Sequence, residues 1–329
     1  MIGLKIILKE QKMASLLNPR NLSRLTFLLV LLLSLFCNAV LAAEPLQLKD
    51  DSQAITISAG SRLVLRYNYG NVPFKPYVQQ LFSPAGINVL LDAPSDHLHH
   101  HALMFATGVN GINFWEERGQ PGRQQHRSLE KIGSPGMKSK NSIGFQEQLE
   151  WTNTANNQLM LKEQRKLGVP LLKKTAATIL VWQTRLELPE GVNSARLTGD
   201  HFYGLGMRFV RAMDGQGPFL NAEGLPGEIF RGEERLTNAS WCAYSAEIEG
   251  KPVTAAMFGH PDNPRSPTTW FTMIKPFAFL AATMNLHRQP FELTSGNAMK
   301  LRYCVAVWDG RIAKEQIEEL YRWWLNWEK

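Results

Sequence analysis

The order of apolar and polar positions divides the chain into an apolar leader, a long succession of short β segments and one helical stretch at the end. Phe145–Trp151 sets Phe145, Leu149 and Trp151 on one face and Gln146, Gln148 and Glu150 on the other, a strand period interrupted only by Glu147. Met299–Val307 alternates throughout, Leu301, Tyr303, Val305 and Val307 against Lys300, Arg302, Cys304 and Ala306. Further strands are expected at Ala54–Ser58, Leu63–Tyr67, Tyr77–Phe82, Ile87–Leu91, Leu159–Arg165, Ala177–Leu188, His201–Val210, Trp241–Glu247, Val253–Phe258, Trp270–Ile274 and Phe277–Ala282. Each is a short run of β-branched, aliphatic or aromatic residues, bounded in most cases by turn-forming residues. Gly204 and Gly206 inside His201–Val210 mark a bulge or a close approach by another group. Pro218–Arg235 has no strand period and is expected as a long surface loop.

Only the end reads as helix. Ile317, Leu320, Tyr321, Trp324 and Leu325 fall at helical spacing, with Asp309 upstream as an expected N-cap. Many strands and one helix imply an all-β fold, a large antiparallel β-sandwich with a C-terminal amphipathic helix over residues 311–329. No repeat or linker divides residues 43–329, so a single domain is expected there.

The leader changes the charge and the compartment. Basic residues from Lys5 to Arg24 precede the apolar run Leu25–Phe36, and Val40-Leu41-Ala42 supplies small residues for cleavage, which predicts a secretion signal over residues 1–42 and a periplasmic or secreted protein. The run has 12 residues, short of the ~20 of a spanning helix, so no stable membrane insertion is expected after cleavage. Met13 is a second candidate start, and Phe36 before Cys37 argues against a lipoprotein site. Of the formal net charge of +7, +4 resides in the leader, and the scattered remainder excludes nucleic acid as a partner. Neither a Cys-x-x-Cys pair nor a Gly-rich phosphate loop occurs, which argues against zinc ribbons, thioredoxin-like redox chemistry and nucleotide binding. Cys242 and Cys304 remain in the mature chain, with pairing left open.

Candidate chemistry concentrates in Asp96–Trp115, which holds four of the eight histidines within five positions. If extended, Asp96–Thr107 places His97, His99 and His101 on one face and Leu98, His100 and Ala102 on the other. The imidazoles can offer acid, base or ligand nitrogens to a small molecule, with Asp96 orienting one of them. The alternative is half-buried sheet histidines satisfied by backbone carbonyls. Val109-Asn110-Gly111 reads as a hairpin turn that returns Phe114 and Trp115 beside the histidines. Aromatic faces next to polar groups suit sugar rings.

Two other clusters accompany it. Asp200 and His201 can form an oriented acid–base pair, with Arg208 as an anion or hydroxyl contact; a structural ion pair at a sheet edge is the competing reading. In His260–Pro267 three prolines stiffen a loop that presents His260, Asp262, Asn263 and Arg265, either to a ligand or as a rigid connector. The expected catalytic residues are therefore His99, His201 and Asp96, and the expected substrate contacts are His97, Trp115, Arg208, His260, Asn263 and Arg265. No cofactor is expected, although a His-x-His metal pair at His97 and His99 is a further reading that requires a third ligand.

Asp96-His97-Leu98-His99-His100, Val109-Asn110-Gly111-Ile112-Asn113-Phe114-Trp115, Gly206-Met207-Arg208 and His260-Pro261-Asp262-Asn263-Pro264-Arg265, with Trp270 beyond, resemble in this order an uncharacterised bacterial family labelled methane oxygenase PmoA-like. A membrane methane monooxygenase subunit needs several spanning helices, so that activity is not expected of this chain. Leu98-His99 and Asp200-His201-Phe202-Tyr203 are also similar to the two histidine motifs of galactose-mutarotase-like β-sandwiches, with His100-His101 in place of two glycines. That resemblance implies a supersandwich fold and a sugar cleft. Its catalytic base is a glutamate on a late strand, and Phe277–Asn285 here has no carboxylate. The expectation is a secreted protein that processes or binds a small-molecule or oligosaccharide ligand, as a carbohydrate-active lyase, hydrolase or isomerase. The alternatives are a non-catalytic sugar- or partner-binding sandwich and a metal-binding protein.

Overall fold

Sequence alternation becomes two stacked antiparallel sheets in the computed structural model, which describes residues 45–133, 142–170 and 176–327. The secretion leader expected over residues 1–42 and the last two residues of the expected helix lie outside the described residues. From Pro45 onward the chain clusters as one compact unit.

The ten-stranded sheet runs, in spatial order, Leu46–Asp50, Ala54–Ala59, Arg62–Asn68, Tyr77–Leu81, Leu103–Ala106, Gly204–Arg208, Phe279–Thr283, Thr269–Met273, Glu234–Asn238 and Glu228–Arg231. The eight-stranded sheet runs Leu220–Asn221, Trp241–Ile248, Lys251–Gly259, Met299–Asp309, Ala177–Glu187, Leu159–Pro170, Ser142–Asn153 and Gly122–Ile132. A four-stranded sheet, Phe291–Thr294, Ser194–Thr198, Gly108–Val109 and Ile112–Asn113, contains the expected hairpin. Asn110 and Gly111 both have positive φ there, 48° and 83°, as a tight two-residue turn between twisted strands requires.

One large apolar cluster joins the sheets, with Trp151, Trp182, Tyr244 and Val305 from the eight-stranded sheet and Leu65, Leu205, Met207 and Trp270 from the ten-stranded one. The outer face of the eight-stranded sheet is covered by the helix Lys314–Trp327, whose Ile317, Leu320 and Trp324 pack on Trp241, Phe258, Cys304 and Ala306. Cys304 therefore faces the helix, while Cys242, in register with Met257 and through it Val305, faces the inter-sheet core. The two thiols lie on opposite faces of one sheet, which keeps them from pairing with each other.

Several expected boundaries shift. Asp309 is the last residue of its strand and accepts hydrogen bonds from Ser83 Oγ and the Ala85 amide, so it is not the N-cap. The helix instead begins with Gln316 reaching back to the Ala313 amide. Ile87–Leu91 makes isolated bridges only, not a strand. Pro218–Arg235 contains the strands Leu220–Asn221 and Glu228–Arg231 and the start of Glu234–Asn238, which pair at sheet edges and so carry no apolar alternation. Gly122–Ile132 was invisible to the apolar pattern for the same reason, being a polar edge strand.

The interruption at Glu147 has a partner deep in the sandwich. Glu147 is fully buried and takes hydrogen bonds from the Tyr67 hydroxyl and from His126 Nδ1, the latter at 2.7 Å. Beside it Arg165, equally buried, binds both oxygens of Glu163 at 2.8 and 2.9 Å, the Gln124 side chain at 2.9 Å and the Pro76 carbonyl at 2.9 Å. Trp151 Nε1 and Thr184 Oγ1 complete the Glu163 carboxylate. Burial opposes charge on Arg165, but Glu163 and the neighbouring acceptors outweigh it and keep the guanidinium protonated. Arg165→Met leaves Glu163 buried without a counter-charge and should cost about 3–5 kcal/mol in urea denaturation, whereas adding Glu163→Gln should recover part of that loss.

Candidate functional site

Cross-strand register decides which residues of the ten-stranded sheet face outward. Leu236, Phe271, Ala281 and Gly206 form one row, and Met273, Phe279 and Arg208 the next, all on the face opposite Trp270, Leu280 and Met207. Glu234, two residues before Leu236, shares that outward face. Gly206 is required there: a Cβ would stand 2.7 Å from the Trp115 ring and 2.8 Å from Phe279. Trp115 occupies the space, fully buried and stacked on Tyr203 at 5.2 Å. It is thus packing beneath the site, not the sugar-stacking surface expected of it.

Over this face the histidine segment is folded into turns, not extended. His97 N bonds to Pro94 O and His100 N to His97 O, both at 2.9 Å, Ala102 has a φ of 47°, and the strand starts only at Leu103. The alternation expected from an extended chain is therefore replaced. His97, His99 and His100 gather with ring centroids 4.6–5.7 Å apart, and His101 turns away into another network. These three imidazoles line one wall of a cleft of about 250 Å³. Glu116, Arg118 and Phe202 line it as well, with Phe271, Met273, Phe277 and Phe279 as an apolar floor and Arg231 and Glu234 completing it.

Electrostatics separates the histidines by role. Burial, helped by nearby Lys75 and His97, pushes the His99 pKa down to about 4, and burial with the neighbouring imidazoles pushes His100 to about 2. Both are neutral at neutral pH. His99 lines the cleft, and no hydrogen-bond partner for it occurs among the described residues; His100 buries an unpartnered Nδ1. His97 is held through Nδ1 by Asp96 at 3.0 Å. Partial burial would raise the Asp96 pKa, but the contacts with His97 and Arg208 hold it well below the usual carboxylate range. Arg208 and Arg211 both bind Asp96, at 3.0 and 3.1 Å. Arg208 is itself buried, with its guanidinium carbon 3.4 Å from the centre of the Phe277 ring, so Asp96 and Arg208 brace the wall from behind and do not line it.

His201 is likewise set behind the surface. Its Nδ1 meets Asp200 at 2.5 Å, its Nε2 meets Glu234 Oε2 at 3.0 Å, and Phe230 stacks on its ring at 3.8 Å. Arg231 donates to the other Glu234 oxygen at 2.8 Å. The acid–base pair expected of Asp200 and His201 therefore ends on a carboxylate in the cleft. That carboxylate lay in a stretch without period, and its only sequence signal was the charged turn Arg231-Gly232-Glu233-Glu234. Phe271, Met273 and Phe279 were legible as strand residues but not as a floor.

The third cluster is not brought to the cleft. Asn263 exchanges two hydrogen bonds with the Arg302 backbone, at 2.7 and 2.8 Å, and His260 packs edge-on against Trp324. Arg265 donates to the carbonyls of Met284, Gln289 and Pro290 at 2.6–3.0 Å. His260, Asn263 and Arg265 thus anchor a connector, and none lines the cleft. Among the described residues no group of three or more His, Cys, Asp or Glu is placed to hold a metal ion. His97 and His99, the pair expected for a metal, meet edge to face with ring centroids 5.7 Å apart.

The profile of the Family of unknown function (DUF6807) matches residues 54–322. No curated protein matches the chain. Among solved structures, GH36 α-galactosidase AgaB from Geobacillus stearothermophilus is similar over 81% of this chain and 41% of its own, at 10% identity and a TM-score of 0.48. The galactosidase domain of α-galactosidase-sucrose kinase AgaSK is similar over 81% and 42%, at 10% identity and a TM-score of 0.45. The chain spans about two fifths of the length of these proteins. None of these matches carries the methane-oxygenase label that the motif resemblance brings.

Because His99 and His100 are neutral in the folded chain and titrate near 6.5 when unfolded, the unfolded state binds more protons between those values. Their contribution to stability should rise with pH up to about 6.5 and decline below it. In histidine NMR titrations His99 should keep its neutral form at pH 6, and a midpoint near 6.5 would contradict its burial.

Proposed function

We propose, for a chain that belongs to the Family of unknown function DUF6807, that the cleft binds a carbohydrate and acts on it by acid–base chemistry. One observation carries the reading. A neutral imidazole with no hydrogen-bond partner among the described residues, His99, shares an aromatic-floored cleft with Glu234, a carboxylate held at both oxygens by His201 and Arg231. Phe202, Phe271, Phe277 and Phe279 offer ring faces and edges to sugar C–H groups, while His97, Glu116 and Arg118 offer donors and acceptors to hydroxyls.

His99 accepts a proton from the bound sugar. Glu234 accepts a hydroxyl hydrogen bond that fixes the ring, and Asp200 and His201 keep that carboxylate in place. Glu234 also supplies what Phe277–Asn285 lacks: it stands on the outward face of the same sheet, two strands from Phe279–Thr283. This favours an isomerase or lyase over a binding module. A cleft of about 250 Å³ is small beside the ~300–1,000 Å³ of drug-sized sites, which suits a small sugar or one end of an oligosaccharide. Export to the periplasm or beyond, expected from the leader, belongs to the same proposal.

The test is a panel of monosaccharides and oligosaccharides screened by thermal shift on the mature protein, followed by mass spectrometry of each stabilising sugar. A stabilising sugar should be converted, and His99→Asn should slow that conversion by about 10²–10⁴-fold while binding persists. Glu234→Gln should weaken both. Stabilisation without any product would make the protein a binding module, and a panel without a single stabilising sugar would sink the reading.

A further inference from the structure

Behind the cleft wall lies a second polar cluster that this chemistry does not use. Lys75 Nζ, fully buried, donates to the Trp115 carbonyl at 3.1 Å and to Glu117 Oε1 at 2.5 Å. The same Glu117 oxygen meets His101 Nε2 at 2.9 Å, and His101 Nδ1 meets Asp92 Oδ1 at 3.1 Å. Asp92 is held in turn by the Tyr77 hydroxyl at 2.8 Å and the Gln79 amide at 2.9 Å. His101 is 7% exposed, and its ring lies 4.6 Å from that of Tyr77.

Both ring nitrogens of His101 face carboxylate oxygens. A neutral imidazole has one N–H and one lone pair, so it could satisfy one carboxylate only by presenting the lone pair to the other; the imidazolium donates to both. Charge balance points the same way. The titratable groups facing His101 are Asp92 earlier in its own segment, Glu117 from the opposite loop with Lys75 behind it, and Tyr77 from the adjacent strand. With His101 neutral, two carboxylates face one buried ammonium and a negative charge is left over; with His101 protonated the cluster is balanced.

The position of the cluster gives this a consequence. Glu117 lies between Glu116 and Arg118 on one side of the cleft, and His101 directly follows His97, His99 and His100 on the other. We propose that protonated His101 is a positioning residue, a clasp that ties the two cleft-forming loops together through Glu117 and Asp92 and opens when the proton leaves. As a control of the cleft it rests on the function proposed above. As a physical device it is testable without any sugar.

Burial would push the His101 pKa down, but the hydrogen bonds to Asp92 and Glu117 outweigh burial and hold it above the ordinary 6.5. A raised folded value means that the clasp contributes fully below the unfolded imidazole value and is lost as pH rises through the folded one. Burial opposes charge on Asp92 and Glu117 too, yet contact with His101 holds both below the usual carboxylate range, so at the acid end the clasp is lost as pH falls through those lowered values.

Selective ¹⁵N-histidine NMR of the mature protein should find His101 protonated on both nitrogens at neutral pH, losing one proton only above about pH 6.5. Acylation of His99 by diethyl pyrocarbonate, assigned by tandem mass spectrometry, then reads the cleft. His99 is already neutral above a pKa of about 4, so its own ionisation leaves the rate flat between about pH 6 and 9, and a several-fold rise tracking the His101 titration would report the clasp opening. Glu117→Gln should bring the fast rate down to neutral pH. A single neutral tautomer of His101 at neutral pH, or a His99 rate flat through the His101 titration, would overturn the proposal, and the wild-type protein decides it even if the variant does not fold. A sugar panel without a hit would count against the proposed function and leave these two readouts intact.

Discussion

Each large sheet has two faces and must cover both, and that constraint organises the molecule. The inner faces cover one another through the cluster that joins Trp151 and Trp182 to Trp270 and Leu205. On the far side of the eight-stranded sheet the helix Lys314–Trp327 covers Trp241, Phe258 and Cys304. On the far side of the ten-stranded sheet no α-helix among the described residues provides the cover, which is made of turns and loops that carry histidine, glutamate and arginine. A smooth helix would have sealed that face. Irregular segments over an aromatic floor leave a cleft, and the polar groups of their side chains are what line it.

Ionic groups behind these surfaces set the geometry that apolar packing alone leaves loose. Arg165 and Glu163, satisfied within their own sheet by Gln124, Trp151 and Thr184, are keyed to the ten-stranded sheet by the bonds of Arg165 to the Tyr67 hydroxyl and to the Pro76 carbonyl just before Tyr77–Leu81, since directional bonds define a register where hydrophobic contact does not. The same logic recurs nearer the cleft. Asp96 holds His97, and Asp200 holds His201, which in turn holds Glu234, so that each polar side chain of the cleft traced in this way is fixed by one outside its lining. His101, whose pKa is held up, differs from His99 and His100, whose pKa values are pushed down, because of partners: carboxylates face the first, while apolar rings and other imidazoles face the others.

By itself the chain determined the fold class, since strand alternation at Phe145–Trp151 and Met299–Val307 and the helical spacing of Ile317, Leu320 and Trp324 are local properties written every second or every third to fourth residue. It also brought Asp96–His101 and Asp200-His201 to attention, because unusual density of histidine is visible without coordinates. Tertiary structure alone decided which of those groups reach the cleft. Turns at Pro94 and Ala102 replaced the extended alternation and sent His101 away from its neighbours. Glu234 came from the strand next to the sheet edge, whose polar sequence gave no period, Trp115 was drawn over Gly206, and Arg265 was consumed by backbone carbonyls. A site of this kind is assembled from residues far apart in the chain, and the register between strands that joins them depends on pairings no single segment contains.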